Sequence, residues 1–177
     1  MVIDQTNKQT VVESLEAEKA LDDLQKKCIE RLEEEFRDIG LKFSSVEKSS
    51  DTLLYFGLYF NRNLIFRWDS PNRYFEIHVS RRESGGSVFF IGILHEGTLG
   101  APSKRCAYLD HFEKDNPPEV GMTTRERFRE AEKQGQSPEQ LLNLYLDGCI
   151  SLLRKHFMGV IRGEKWIEVP FDWGGMK

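Results

Sequence analysis

Most of the motifs that would name an activity are missing from this chain. It has no CxxC pair, no GxSxG, no GxxxxGK[ST], no GxGxxG and no HExxH. That argues against a zinc ribbon, a nucleophile elbow, a P-loop, a dinucleotide-binding turn and a zincin. Only three cysteines occur, Cys28, Cys106 and Cys149. They are odd in number and far apart, which argues against a disulfide framework. No apolar run approaches the ~20 residues of a membrane span. The first ten residues lack the apolar centre and cleavage site of a leader. The chain is therefore expected to be cytoplasmic and off the membrane. A basic surplus is also absent. The formal net charge is −4 and the pI about 5.7, which argues against nonspecific nucleic-acid binding.

What is present is an ordinary globular composition, 39% hydrophobic and 31% charged, with twelve phenylalanines that point to a ring-filled core. At 177 residues, one domain is the natural reading, and a core can form without staples. Charge is distributed unevenly. Residues 13–38 hold ten acids against five bases, and residues 61–82 hold five arginines against two acids. Two such elements can attract each other within the fold or steer a charged partner.

Residues 1–10 are polar and are expected to be a disordered tail, and residues 11–177 a single α+β domain. A helix is expected from about Val12 to Ile39, with Leu21, Leu24, Cys28, Leu32, Phe36 and Ile39 in steps of three and four and Gly40 as its stop. The period then shortens to two. Strands are expected at Leu54–Phe60, Leu64–Trp68, Tyr74–Arg81 and Ser87–Leu94, with an edge strand at Lys42–Lys48. Asn61-Arg62-Asn63, Asp69-Ser70-Pro71-Asn72 and Ser84-Gly85-Gly86 read as turns. A short helix is expected near Tyr108–Lys114, with Leu109 and Phe112 facing in, and a charged helix ending at Lys133. Ser137 and Pro138 then open a last long helix to about Ile161, whose stripe is Leu142, Tyr145, Cys149, Leu152, Leu153, Phe157 and Val160. The expected fold is an antiparallel β-meander of four to five strands, with long N-terminal and C-terminal helices packed on one face.

Glu76 and His78 are the foremost catalytic candidates. Two apart on a strand, they share a face, and a carboxylate beside an imidazole can orient a base and hold its tautomer. Arg67 and Arg82 would join that face and could bind an anion. The plainer account is a polar outer sheet face with paired charges. Asp110, His111, Glu113 and Asp115 are metal-compatible, but their spacing fits no standard site, so no metal or cofactor is expected. His95 stands at a strand end beside Glu96. His156, among Arg154 and Lys155, reads as a cation near a helix C-terminus. No Ser or Cys pairs with a His at a recognisable spacing.

Phe66-Arg67-Trp68 leading into Tyr74-Phe75-Glu76-Ile77-His78-Val79, and Leu152-Leu153-Arg154-Lys155-His156-Phe157 followed by Val160-Ile161-Arg162-Gly163-Glu164, resemble small uncharacterised bacterial proteins grouped with toxin-immunity proteins. The resemblance covers about half the chain, departs from it over His95–Met122 and supplies no catalytic residue. It implies a non-enzymatic protein-binding module, an immunity or inhibitor protein that neutralises a basic toxin or nuclease. The acidic balance agrees with a basic protein partner. Within the first helix, Glu30, Glu33, Glu34 and Asp38 are the expected partner contacts, because acids in the second half of a helix oppose its dipole. The alternatives are a small-substrate enzyme using Glu76 and His78 on the sheet face, and a structural subunit of an oligomer.

Overall fold

The computed structural model describes residues 5–54, 57–69, 72–82, 88–109 and 133–167. Within them the chain is α+β, an antiparallel five-stranded sheet with helices. Helix α1 spans Gln5–Glu35, so it begins inside the stretch expected as a tail. Its stripe Leu21, Leu24, Cys28, Leu32 and Phe36 is buried as the spacing requires. A 3-10 turn, Arg37–Ile39, follows. Gly40 closes it at φ 69°, its N–H donating to Arg37 O.

The sheet is a meander in sequence order: β1 (Lys42–Leu54), β2 (Gly57–Arg67), β3 (Arg73–Arg82), β4 (Val88–Glu96) and β5 (Arg105–Tyr108). Two expected boundaries move. Leu54 pairs with Gly57, so the stretch read as one strand from Leu54 to Phe60 straddles the first hairpin. Asn61-Arg62-Asn63 is no turn but the middle of β2, where Arg62 pairs with Val79 and Asn63 with His78. Turn-forming composition is overridden there because Arg62 points at α1, and Glu18 and Asp22 receive its guanidinium. Tyr108, expected to open a helix, instead ends β5 opposite Ile93. Leu109 is buried as expected, and the stretch from Asp110 through the charged helix before Lys133 lies outside the described residues.

Alternation gives the sheet two faces. Phe60, Leu64, Phe66, Phe75, Ile77, Val79, Val88, Phe90 and Leu94 share one core cluster with the α1 stripe. The same cluster takes Leu142, Tyr145 and Cys149 of α2 (Pro138–Leu152). Ser137 caps α2 in a capping box with Gln140, as the Ser-Pro start indicated. The C-terminal helix is not one regular rod to Ile161. A π-helical turn, Leu153–Phe157, separates α2 from a four-residue α3 (Met158–Ile161). Leu153 and Phe157, at the two ends of that turn, are both buried. The segment after α3 returns to the sheet, where Arg73 and Arg105 flank the Trp166 ring at 5.9 and 5.2 Å. No helix among the described residues is long and apolar enough to cross a membrane.

Candidate functional site

The second sheet face carries different chemistry. Tyr74, Glu76 and His78 project from β3, Ile91, Ile93 and His95 from β4, Ile65 from β2, and Cys106 and Tyr108 from β5. The register sets Glu76 between Ile65 and Ile93, His78 between Asn63 and Ile91, and Tyr74 between Arg67 and His95. Ile65, Tyr74 and Ile93 are buried but stand outside the helix-side cluster.

Glu76 is the centre. Its side chain is 14% exposed, and each carboxylate oxygen meets an imidazole. His78 Nε2 lies 2.8 Å from Oε1 in a hydrogen bond. His95 Nε2 lies 2.8 Å from Oε2. That second contact is an ion-pair approach out of line with the ring N–H, which makes no aligned hydrogen bond. The His95 ring stacks on Tyr74, 4.4 Å between centroids and 8° between planes. Its Nδ1 is 2.8 Å from Ser103 Oγ, and Ser103 Oγ is 3.1 Å from the Tyr74 hydroxyl.

The β4–β5 connection delivers Ser103. Gly97 N–H donates to Asn72 O at 2.7 Å and Lys104 N–H to Glu96 O at 2.8 Å, folding the loop back on the sheet. Gly97 has φ 153°, and a Cβ there would stand 3.2 Å from Ser103 Cα. Only glycine admits that approach without displacing Ser103.

Burial alone would raise the Glu76 pKa. The His78 hydrogen bond, the close approach of His95 and the charge of both rings outweigh it and lower the carboxyl from its ordinary 4.5 to about 2. Glu76 is thus a carboxylate throughout the neutral range. A folded value below the unfolded one means stability that is present above about pH 4.5 and lost as pH falls towards 2. Glu76→Gln should therefore cost on the order of 2 kcal/mol at pH 6, allowing for partial exposure, and almost nothing near pH 2. Urea unfolding at the two pH values checks this, and an equal cost at both would contradict it. Burial, then the nearness of Cys106 and Glu76, raises the Tyr108 pKa.

Of the expected site residues, Glu76 and His78 do meet. Arg67 is exposed, and the register sets it beside Tyr74, outside the Glu76 pair. The Arg82 side chain lies outside the description. A third polar group, His95, closes on the same carboxylate. The spacing of His95 and Ser103 gave no sign of their pairing. The β3–β4 register was the signal that would have placed His95 beside Tyr74. Asp110, His111, Glu113 and Asp115 lie outside the described residues. Among those described, no group of three or more His, Cys, Asp or Glu side chains is arranged to hold a metal ion. His156 is exposed in the π turn.

The acids of α1 sit elsewhere. Arg154 holds Asp38 through both carboxylate oxygens at 2.7 Å, which lowers the Asp38 pKa. Glu33 Oε1 accepts the Phe43 N–H at 2.7 Å, tying α1 to β1. Glu30 is 3.9 Å from Lys26, and Glu34 is exposed.

Cys28 and Cys149 are buried and Cys106 is exposed. Burial raises the Cys28 pKa, keeping the thiol protonated and unreactive. Iodoacetamide on the folded protein should therefore modify Cys106 alone. Mass spectrometry finding Cys28 or Cys149 alkylated at a comparable rate would contradict the packing.

No family model, curated protein or solved structure matches the chain.

Proposed function

We propose that the protein acts on a small polar substrate at the second sheet face, with His78 as the proton-transferring group and Glu76 as the carboxylate that orients it. The observation that carries this reading is one carboxylate held between two imidazoles, 2.8 Å from each. His78 is the member open to a ligand, its side chain 31% exposed against 13% for His95. Glu76 holds the His78 ring through Nε2, so that His78 is oriented to take a proton from a substrate and return it. Arg67, exposed at the rim, would attract an anionic group.

The test is a fragment screen by NMR, read at the His78 and His95 ring resonances. Polar fragments should shift both rings and lose their effect in His78→Gln. Hits that fall elsewhere and leave both rings unmoved would sink the reading.

A second reading is the protein-binding module with an immunity-like role. Glu30 and Glu34 support it, since both are exposed, whereas Asp38 is engaged by Arg154 and Glu33 by the Phe43 N–H. Reversing Glu30 and Glu34 to Lys should leave the melting temperature within a few degrees. On this reading it should also slow association with a basic partner at low salt.

A further inference from the structure

Ser103, His95 and Glu76 stand in succession, an arrangement that the sequence did not announce. Ser103 Oγ is 2.8 Å from His95 Nδ1, and His95 Nε2 is 2.8 Å from Glu76 Oε2. A carboxylate against Nε2 favours the proton on that nitrogen, which leaves Nδ1 as an acceptor. The Ser103 hydroxyl then donates to Nδ1, and the Tyr74 hydroxyl donates to Ser103 Oγ. This is the nucleophile and base of acyl-transfer sites, with the two ring nitrogens exchanged and the carboxylate beside the base as a close charge, not as an aligned hydrogen-bond acceptor. Tyr74, stacked on the ring, holds the imidazole in plane and faces it with π density when it is charged.

Resting on the sheet-face reading above, we propose that Ser103 is a nucleophile and that the substrates are small carboxylic esters. Ser103 Oγ adds to the ester carbonyl carbon while its proton passes to His95 Nδ1. The bond to the alcohol oxygen breaks, and the alcohol leaves with that proton. A water molecule next gives a proton to Nδ1 and adds to the acyl carbon. Ser103 Oγ then departs and recovers the proton from His95. The net change is ester and water to acid and alcohol. Esters are favoured over amides because an ester carbonyl is less resonance-stabilised and an amide nitrogen must be protonated before it can leave, and Tyr74 is the hydroxyl donor seen beside Ser103 Oγ.

Three features of the protein agree with a working relay. Ser103 is only partly buried, so a substrate can reach it. Gly97 fixes the loop that carries it. The Glu76 carboxylate stays ionised, shared with His78 on its other oxygen.

The experiment is reaction of the folded protein with a fluorophosphonate probe at pH 8, followed by peptide mapping, alongside hydrolysis of p-nitrophenyl acetate. The expected result is one adduct on Ser103, absent from Ser103→Ala. Labelling should be at least a hundredfold slower in His95→Gln and at least tenfold slower in Glu76→Gln. Should His95→Gln fail to fold, Glu76→Gln carries the comparison. Labelling of Ser103 at the same rate in wild type and Glu76→Gln would overturn the relay. No adduct on Ser103, with fragments still shifting the His78 and His95 rings, would overturn the nucleophile and leave the sheet-face site standing. No adduct and no ring shifts would end both.

Discussion

Replacing Glu18 and Asp22 together by alanine is expected to cost about 3–5 kcal/mol, whereas Arg62→Met should cost far less or nothing. Arg62 is 1% exposed, a charged side chain inside the core between β2 and α1. Its Nε and Nη2 donate to Asp22 Oδ1 at 3.1 and 2.9 Å, its Nη2 to Glu18 Oε1 at 3.2 Å and its Nη1 to Asn61 O at 3.2 Å. The acids are about half exposed. The asymmetry follows from that difference. Without Arg62, the two carboxylates rehydrate where they stand. Without the carboxylates, the guanidinium stays buried with one carbonyl, and Lys48, now 3.8 Å from Asp22, becomes an unscreened like charge nearby. Urea unfolding of the two variants decides it. If Arg62→Met proves the more damaging, the clamp is a packing device and the charge account fails.

The same residue shows how far the sequence could be read. The acidic helix and the arginine-rich hairpins are visible in composition, and their attraction within the fold was one of two open accounts. Which arginine met which acid was not visible, because Asn61 and Asn63 made Arg62 look like a turn. Strand period two places Arg62 on the face of Leu64 and Phe66, and burial of that face settles the case against local propensity. The helix stripes were legible because a period near 3.6 leaves few alternatives over several turns. The π turn was not, since Leu152 and Leu153 suit either helical spacing.

The site was half legible. Glu76 and His78 lie on one strand, so spacing alone joins them. His95 and Ser103 come from β4 and the loop after it, and their arrival depends on register. With Arg81 opposite Val88, Tyr74 falls opposite His95 and Glu76 opposite Ile93. A slip of one residue would send His95 to the helix side. Ser103 needs in addition the fold-back at Gly97, a loop geometry that no periodicity encodes. The partners of two acids near the end of α1 were hidden for a related reason. Asp38, in the 3-10 turn, and Glu33, in α1, look unsatisfied locally, yet their partners, Arg154 and the Phe43 N–H, are far away in sequence or on a later element.

Gly92→Val is expected to cost about 3 kcal/mol, and Gly92→Ala about 1–3 kcal/mol. Gly92 lies in β4 opposite Ile77, with its missing side chain directed at the core. A Cβ there would meet the Tyr145 hydroxyl at 2.9 Å, Leu109 Cδ1 at 3.1 Å and Phe75 Cζ at 3.3 Å. All three neighbours are fully buried. Tyr145 cannot swing aside cheaply, because its ring is packed 5.4 Å from that of Phe90. An ordinary strand position would gain from the exchange of glycine for a residue of higher β propensity. The sign here reverses because α2 approaches the sheet through this gap. The clash also has an address, the phenolic oxygen, and that gives the sharper check. Tyr145→Phe should itself be destabilising, since the hydroxyl is buried. Combined with Gly92→Ala it should cost less than the two changes added, because the second removes the atom that the first strikes. Simple additivity in that double-mutant cycle would mean that α2 moves off the sheet as a body. The same shift would then appear in the Tyr145 and Leu109 resonances of Gly92→Ala.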